Sequence, residues 1–162
     1  MNKIKGSIFD GEWDGMVHCA NLYHTFGAGI AKIIKRKYPK AFEADLETDY
    51  GYKSNKLGWF SVGREETDAG EIKRIFNLYA QEGIGPTGRS FDRNCRYDHL
   101  HDGVWRICES INDDLKEDET YTLAFPHGMC CGLSGGDWNI AEAILNSVSK
   151  RFPKIKFVVY EL

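Results

Sequence analysis

The chain has no apolar run near the ~20 residues that a membrane-spanning helix needs. Behind its first residues, Met1-Asn2-Lys3-Ile4-Lys5, there is no apolar stretch or cleavage site, so no export signal is expected and the cytoplasm is the expected location. Its 5 cysteines (Cys19, Cys95, Cys108, Cys130 and Cys131) are an odd count. The adjacent Cys130 and Cys131 cannot easily bridge to each other, which argues against a disulfide framework and for reduced thiols. There is no C-x-x-C, and His99-x-His101 has no partner pair at ligand spacing, so neither a metal nor any other cofactor is expected. Positive charge is not in excess. A net charge of −3 and a pI near 6.0 argue against bulk nucleic-acid binding, and the basic cluster at residues 32–40 reads as the solvated face of a helix. No repeat, linker or low-complexity tract appears. With 162 residues, 42% of them hydrophobic and 28% charged, the chain is expected to be one domain, 1–162, and a monomer. A chain of this size buries roughly 70% of its unfolded surface around one core.

What the sequence does have is a strand, a glycine-bearing loop and a helix in immediate succession. The apolar run at residues 15–19 reads as a buried strand. It leads into Asn21-Leu22-Tyr23-His24-Thr25-Phe26-Gly27-Ala28-Gly29-Ile30-Ala31, after which Ile30, Ile33, Ile34 and Tyr38 recur at helical spacing. Glycines on either side of Ala28 let the backbone approach a ligand that a Cβ would exclude. The unpaired N–H groups of a helix's first turn favour an anion there, most naturally a phosphate. The same glycines also suit tight packing of strand on helix. Neither common nucleotide fingerprint fits, because a G-x-G-x-x-G begun at Gly27 would need its third glycine at Lys32, and no Gly-Lys-Ser/Thr follows.

The remaining pattern alternates strands and helices. Strands are predicted at residues 3–8, 16–19, 57–62, 74–80, 120–125 and 156–160, the third and fourth forming a hairpin about a charged turn at 64–70. Helices are predicted at 30–38, 40–50, 97–115 and 138–151, with Pro39 as a break and Asp137 as the N-cap of the last. Residues 81–94, with three glycines and a proline, read as a flap. This alternation predicts an α/β fold, a three-layer α/β/α sandwich on a mixed, largely parallel sheet.

A second loop repeats the logic of the first. Residues 128–136 leave a strand, carry four glycines and feed a capped helix. In an open α/β sheet both loops lie beyond the carboxyl ends of strands, where ligands bind, and two phosphate-friendly loops suggest one diphosphate. The alternative is that these glycines only turn the chain. A cysteine-phosphatase reading of Cys130 and Cys131 fails for want of an arginine, since the position it would occupy is Gly136 or Asp137. The four tryptophans, Trp13, Trp59, Trp105 and Trp138, read as core or rim aromatics.

Together these segments resemble macro domains. Asn21 followed by Phe26-Gly27-Ala28-Gly29-Ile30-Ala31 and Tyr38-Pro39-Lys40-Ala41 is similar to the family's first loop and helix. Cys131-Gly132-Leu133-Ser134-Gly135-Gly136-Asp137-Trp138 is similar to its second loop. Phe76-Asn77-Leu78-Tyr79-Ala80-Gln81 and the closing Val159-Tyr160-Glu161-Leu162 resemble a bacterial and phage branch that holds ADP-ribose 1″-phosphate phosphatases and terminal ADP-ribose glycohydrolases. The resemblance implies a site for ADP-ribose or its 1″-phosphate. Its ligand set would be Ser7, Ile8, Phe9, Asn21, His24, Thr25, Gly27, Ala28, Gly29, Ile30, Gln81, Cys130, Cys131, Gly132, Leu133, Ser134, Gly135 and Leu162. Gln81 and Ser134 stand where the glycohydrolases carry a lysine and an aspartate, which removes the nucleophile of a lysyl adduct. Ser7 stands where many members place an acidic group against adenine, leaving Asp10 as a possible substitute. For catalysis there remain His18, similar to a histidine proposed to act in the phosphatase, and Asp137, each of which also fits a structural role; His127 and His24 are similarly placed. The implied activity is metal-independent hydrolysis of ADP-ribose 1″-phosphate, with a non-catalytic reader, a mono-ADP-ribosyl hydrolase and a nucleic-acid adaptor as alternatives.

Overall fold

A computed structural model of the chain describes residues 1–51, 55–83 and 94–162. Among the described residues six strands form: β1 (Asn2–Lys5), β2 (Gly15–Cys19), β3 (Phe60–Glu66), β4 (Ile72–Leu78), β5 (Tyr121–Pro126) and β6 (Ile155–Glu161). Its helices are α1 (Gly29–Lys37), α2 (Pro39–Leu46), α3 (Tyr97–Asp114) and α4 (Trp138–Ser149), with a short 3-10 turn at Ile8–Asp10. The sheet runs β1-β6-β5-β2-β4-β3. Among the named strands, β3 alone is antiparallel to its neighbour; the other strand pairings are parallel. The fold is the mixed α/β/α sandwich that the alternating pattern predicts.

Side chains alternate across the strands and so divide the interior in two. Val17, Phe76, Leu78, Leu123 and Phe125 meet the α3 and α4 side chains of Leu100, Val104, Ile107, Ala141 and Leu145. Met16, Ile75, Tyr79 and Ala124 face Ile34 of α1 and Ala41 of α2. The second layer lies close, since a Cβ on Gly63 of β3 would stand 2.3 Å from the Ala41 nitrogen, a contact only glycine permits. No helix among the described residues is long and apolar enough to cross a membrane.

Several element ends differ from the sequence reading, each for a local reason. β1 stops at Lys5 because Gly6 turns at φ 141 and Ser7 then caps the 3-10 turn, its Oγ accepting from the Phe9 N–H at 3.2 Å. The break expected at Pro39 is present and falls at Tyr38, with Pro39 starting α2 from the first-turn position, where its missing N–H costs nothing. That helix ends at Leu46 rather than at residue 50, because Thr48 bonds back to the Asp45 carbonyl through both its N–H (3.0 Å) and its hydroxyl (2.6 Å). β3 begins at Phe60, after a turn in which Trp59 N–H donates to Lys56, and then runs on through Arg64, Glu65 and Glu66. Those charged residues read as a turn, yet an edge strand carries them readily. The hairpin itself is present, closed by Thr67 and Glu71. Most of the flap, residues 84–93, lies outside the described residues.

Candidate functional site

The site exists because two neighbouring strands separate. β2 pairs with β5 only at Gly15↔Leu123 and Met16↔Ala124. Beyond those rungs β2 runs beside β4 as far as Cys19↔Leu78, while β5 runs beside β6 as far as Pro126↔Tyr160. A cleft opens at their carboxyl ends, the place where α/β sheets hold ligands.

Two cavities occupy it. The larger, about 510 Å³, is lined by Asn21, Thr25, Gly27, Ala28, Gly29 and Ile30 of the first loop, by Gly128, Met129, Cys130, Gly132, Leu133 and Ser134 of the second, and by Cys19, Ala20, Ala31, Gln81, Pro126 and His127. The smaller, about 440 Å³, is lined by Gly6, Ser7, Ile8, Phe9, Ile30, Ile33, Pro126, His127, Tyr160, Glu161 and Leu162. Ile30, Pro126 and His127 belong to both, so the cavities adjoin at a waist between the loops.

The first loop ends on the amino terminus of α1. Lys32 is the first residue whose N–H turns back, onto the Ala28 carbonyl at 3.3 Å, leaving the N–H groups of Gly29, Ile30 and Ala31 in the open first turn. The loop's shape is held from within, Asn21 donating to the Thr25 carbonyl at 3.1 Å and hydroxyl at 2.6 Å while its own oxygen accepts from the Tyr23 N–H. Two turns build the second loop, Cys131 N–H to the Gly128 carbonyl at 2.9 Å and Gly135 N–H to the Gly132 carbonyl at 3.0 Å. Gly136 N–H closes it on the Cys130 carbonyl, and a Cβ there would lie 2.5 Å from that oxygen, so the closure requires glycine.

Chemistry-bearing side chains are few. Gln81 and Ser134 are bonded to each other, the serine hydroxyl donating to the amide oxygen at 2.5 Å, while the Gln81 amide donates to the Gly83 carbonyl. No lysine, aspartate or glutamate lines the larger cavity among the described residues. His127 is exposed at the waist, its ring 4.8 Å from that of Trp138.

The structure moves both expected catalytic groups away from the cleft. His18 is fully buried on the face of β2 toward α1 and α2, edge-on to Phe26 at 5.2 Å. The Asn77 amide donates to the Ala41 carbonyl and to Ser61, so its oxygen is the acceptor and His18 Nε2 is the donor, at 2.7 Å. Burial holds the His18 pKa below its ordinary value of 6.5, which keeps the ring neutral. Asp137 is the N-cap of α4, accepting from Asn139 N–H at 2.8 Å, and it too lies off the cavity walls. His24, expected beside the ligand, instead turns at φ 55 to meet the buried carboxylate of Asp45 at 3.0 Å. Cys131 and Gly135 belong to the second loop without lining either cavity, the Cys131 thiol donating to the Met129 carbonyl. The remaining expected ligand residues, Ser7, Ile8 and Phe9 through Asn21 to Ser134 and Leu162, are brought together. The sequence reading missed Cys19, Ala20, Ala31, Pro126, Gly128, Met129, Gly6, Ile33, Tyr160 and Glu161 as lining residues. Most continue a strand or helix that the motifs end on, and the strand-end position was the available signal.

Fold and paired-loop cleft together are those of the macro-domain fold. No family model matches the chain. It is 32% identical over 151 residues to the "Uncharacterized 17.5 kDa protein in tk-vs intergenic region" of enterobacteria phage T4, an alignment covering 91% of this chain and 89% of the phage protein, and it belongs to the same family. Among solved structures, the macrodomain of Mycobacterium tuberculosis DarG superposes with a TM-score of 0.72 at 20% identity, over 98% of this chain and 95% of that one. Thermosipho africanus DarTG, solved in complex with ADP-ribose, gives a TM-score of 0.73 at 16% identity, over 99% of this chain and 42% of that one.

Proposed function

We propose that the cleft binds ADP-ribose. The observation that carries this reading is the junction of the two cavities at Ile30, Pro126 and His127, flanked by the first turn of α1 and by the turns of the second loop. A two-part ligand with a charged middle matches that plan. Its diphosphate lies at the waist against backbone N–H groups, its base in the smaller, largely apolar cavity by Phe9 and Ile33, and its distal ribose by Asn21, Thr25 and Gln81. The ADP-ribose bound to the structural neighbour from Thermosipho africanus supports the same assignment.

Binding without chemistry at the distal ribose is the form the site supports best. The Gln81–Ser134 pair offers no nucleophile, and the larger cavity holds no lysine or carboxylate side chain among the described residues. A second reading, hydrolysis of ADP-ribose 1″-phosphate, is favoured by one observation: His127 is the sole imidazole on the cavity walls among the described residues. A histidine there can deprotonate a water that the loop N–H groups then help to turn over.

Calorimetry with ADP-ribose and a phosphate-release assay on ADP-ribose 1″-phosphate test both readings. The wild type is expected to bind. Gly27 lines the cavity, and a Cβ on it meets nothing within 4 Å, so Gly27→Leu keeps the fold while intruding on the ligand, with affinity falling at least tenfold. An absence of heat in the wild type overturns the binding reading. Phosphate release that drops about 10²-fold or more in His127→Ala establishes the hydrolase, and its absence in the wild type leaves a reader.

A further inference from the structure

Cysteines concentrate where the sheet splits. Cys19 ends β2 and Cys130 stands in the loop after β5, so the two lie on opposite sides of the parting, and both line the larger cavity. The thiol of Cys130 has those of Cys19 and Cys95 as neighbours, and it donates to the Ala80 carbonyl at 3.7 Å. Cys19 and Cys131 both pack against the core cluster that holds Cys95 and Cys130, which brings four of the five cysteines to one region, none of them in a disulfide. The fifth, Cys108, is on α3.

We propose that Cys19 and Cys130 form an oxidation site that closes the cleft, a peroxide joining them as a disulfide across the split. Only the readout of closure rests on the ADP-ribose reading. Cys19 is half-buried on the cavity wall and meets an oxidant entering the cleft, whereas the neighbouring Cys19 sulfur first and burial second push the Cys130 thiol well up, and burial takes that of Cys131 to about 11, so both stay protonated. The Cys19 sulfur attacks one peroxide oxygen, the O–O bond breaks, and the departing hydroxide takes up the Cys19 proton as water, giving a sulfenic acid at Cys19. The Cys130 sulfur then attacks the Cys19 sulfur. The S–O bond breaks, the hydroxyl departs with the Cys130 proton as a second water, and two thiols and one hydrogen peroxide have become one disulfide and two waters. The new bond ties the end of β2 to the second loop and fixes the wall on which the ligand rests.

The test treats the purified full chain with hydrogen peroxide, blocks residual thiols with an alkylating agent, and maps an unreduced digest by mass spectrometry, alongside calorimetry with ADP-ribose. A peptide joining Cys19 to Cys130, reversed by dithiothreitol and formed more slowly with ADP-ribose bound, is expected, with affinity at least tenfold weaker in the oxidised protein. Cys108→Ser keeps this response to peroxide; Cys19→Ser loses it, whatever its starting affinity. Thiols that stay free or oxidise singly, a crosslink of Cys95 to Cys130 instead, or a Cys19–Cys130 crosslink that leaves affinity unchanged each overturn the proposal. If the reduced protein gives no heat with ADP-ribose, the binding reading falls, and the Cys19–Cys130 peptide alone then upholds or, by its absence, overturns the oxidation site.

Discussion

His18, Asn77, Ser61, Tyr79, Asp45 and His24 form one hydrogen-bonded chain behind the first loop. His18 donates to Asn77, Asn77 to Ser61 at 2.9 Å, Ser61 to Tyr79 at 2.7 Å, and Tyr79 to Asp45 at 2.6 Å, with His24 meeting the other carboxylate oxygen. The direction follows from Tyr79 giving its proton to the carboxylate, which makes its oxygen the acceptor for Ser61. These six residues come from four separate stretches of sequence, which is why no motif announced them and why His18 and His24 read as ligand or catalytic groups. The neutral, buried His18 has a measurable consequence. Below pH 6.5 the unfolded chain takes up a proton at His18 that the folded chain resists, so stability falls as pH drops from 6.5 toward the lower folded-state pKa. Urea denaturation at pH steps between 7 and 5 is expected to include a contribution of up to about 1.4 kcal/mol per pH unit from this group. His18→Gln, which keeps a donor for Asn77 and cannot titrate, flattens that contribution; an unchanged slope in the variant refutes the assignment.

At the scale of the element, the two loops were legible because their chemistry is local. A glycine pair ahead of α1 and an aspartate ahead of α4 each state a turn and a cap within a few residues, and the loops do converge as their spacing implied. Which members of a loop face the ligand was not legible, since Cys130 lines the cleft at φ 67 while its neighbour Cys131 does not. Asp137 illustrates the same limit. Its carboxylate serves the α4 amino terminus, and its own N–H donates to Tyr97 of α3 at 2.8 Å. Asp137→Ala is therefore expected to lower stability by about 1 kcal/mol in chemical denaturation and to leave ADP-ribose affinity within twofold of the wild type. A large loss of affinity with no loss of stability would return Asp137 to the site.

On the scale of the molecule, the layer order followed from alternation of strand and helix, whereas the strand order did not, because pairing partners such as β1 and β6 lie at opposite ends of the chain. A ligand held by loops from both halves of the sheet stabilises the whole fold by mass action. At ADP-ribose a hundredfold above its Kd the gain is about 2.7 kcal/mol, and Tm is expected to rise by roughly 5–10 °C in a thermal scan. A flat Tm across that titration contradicts specific binding. The parting of β2 from β5 after two rungs carries a last implication. The sheet is mechanically two three-stranded leaves, β1-β6-β5 and β2-β4-β3, sewn together along a short seam. A small change in the angle between the leaves is magnified at their far ends, so the aperture is governed by packing around Gly15 and Met16, well below the rim.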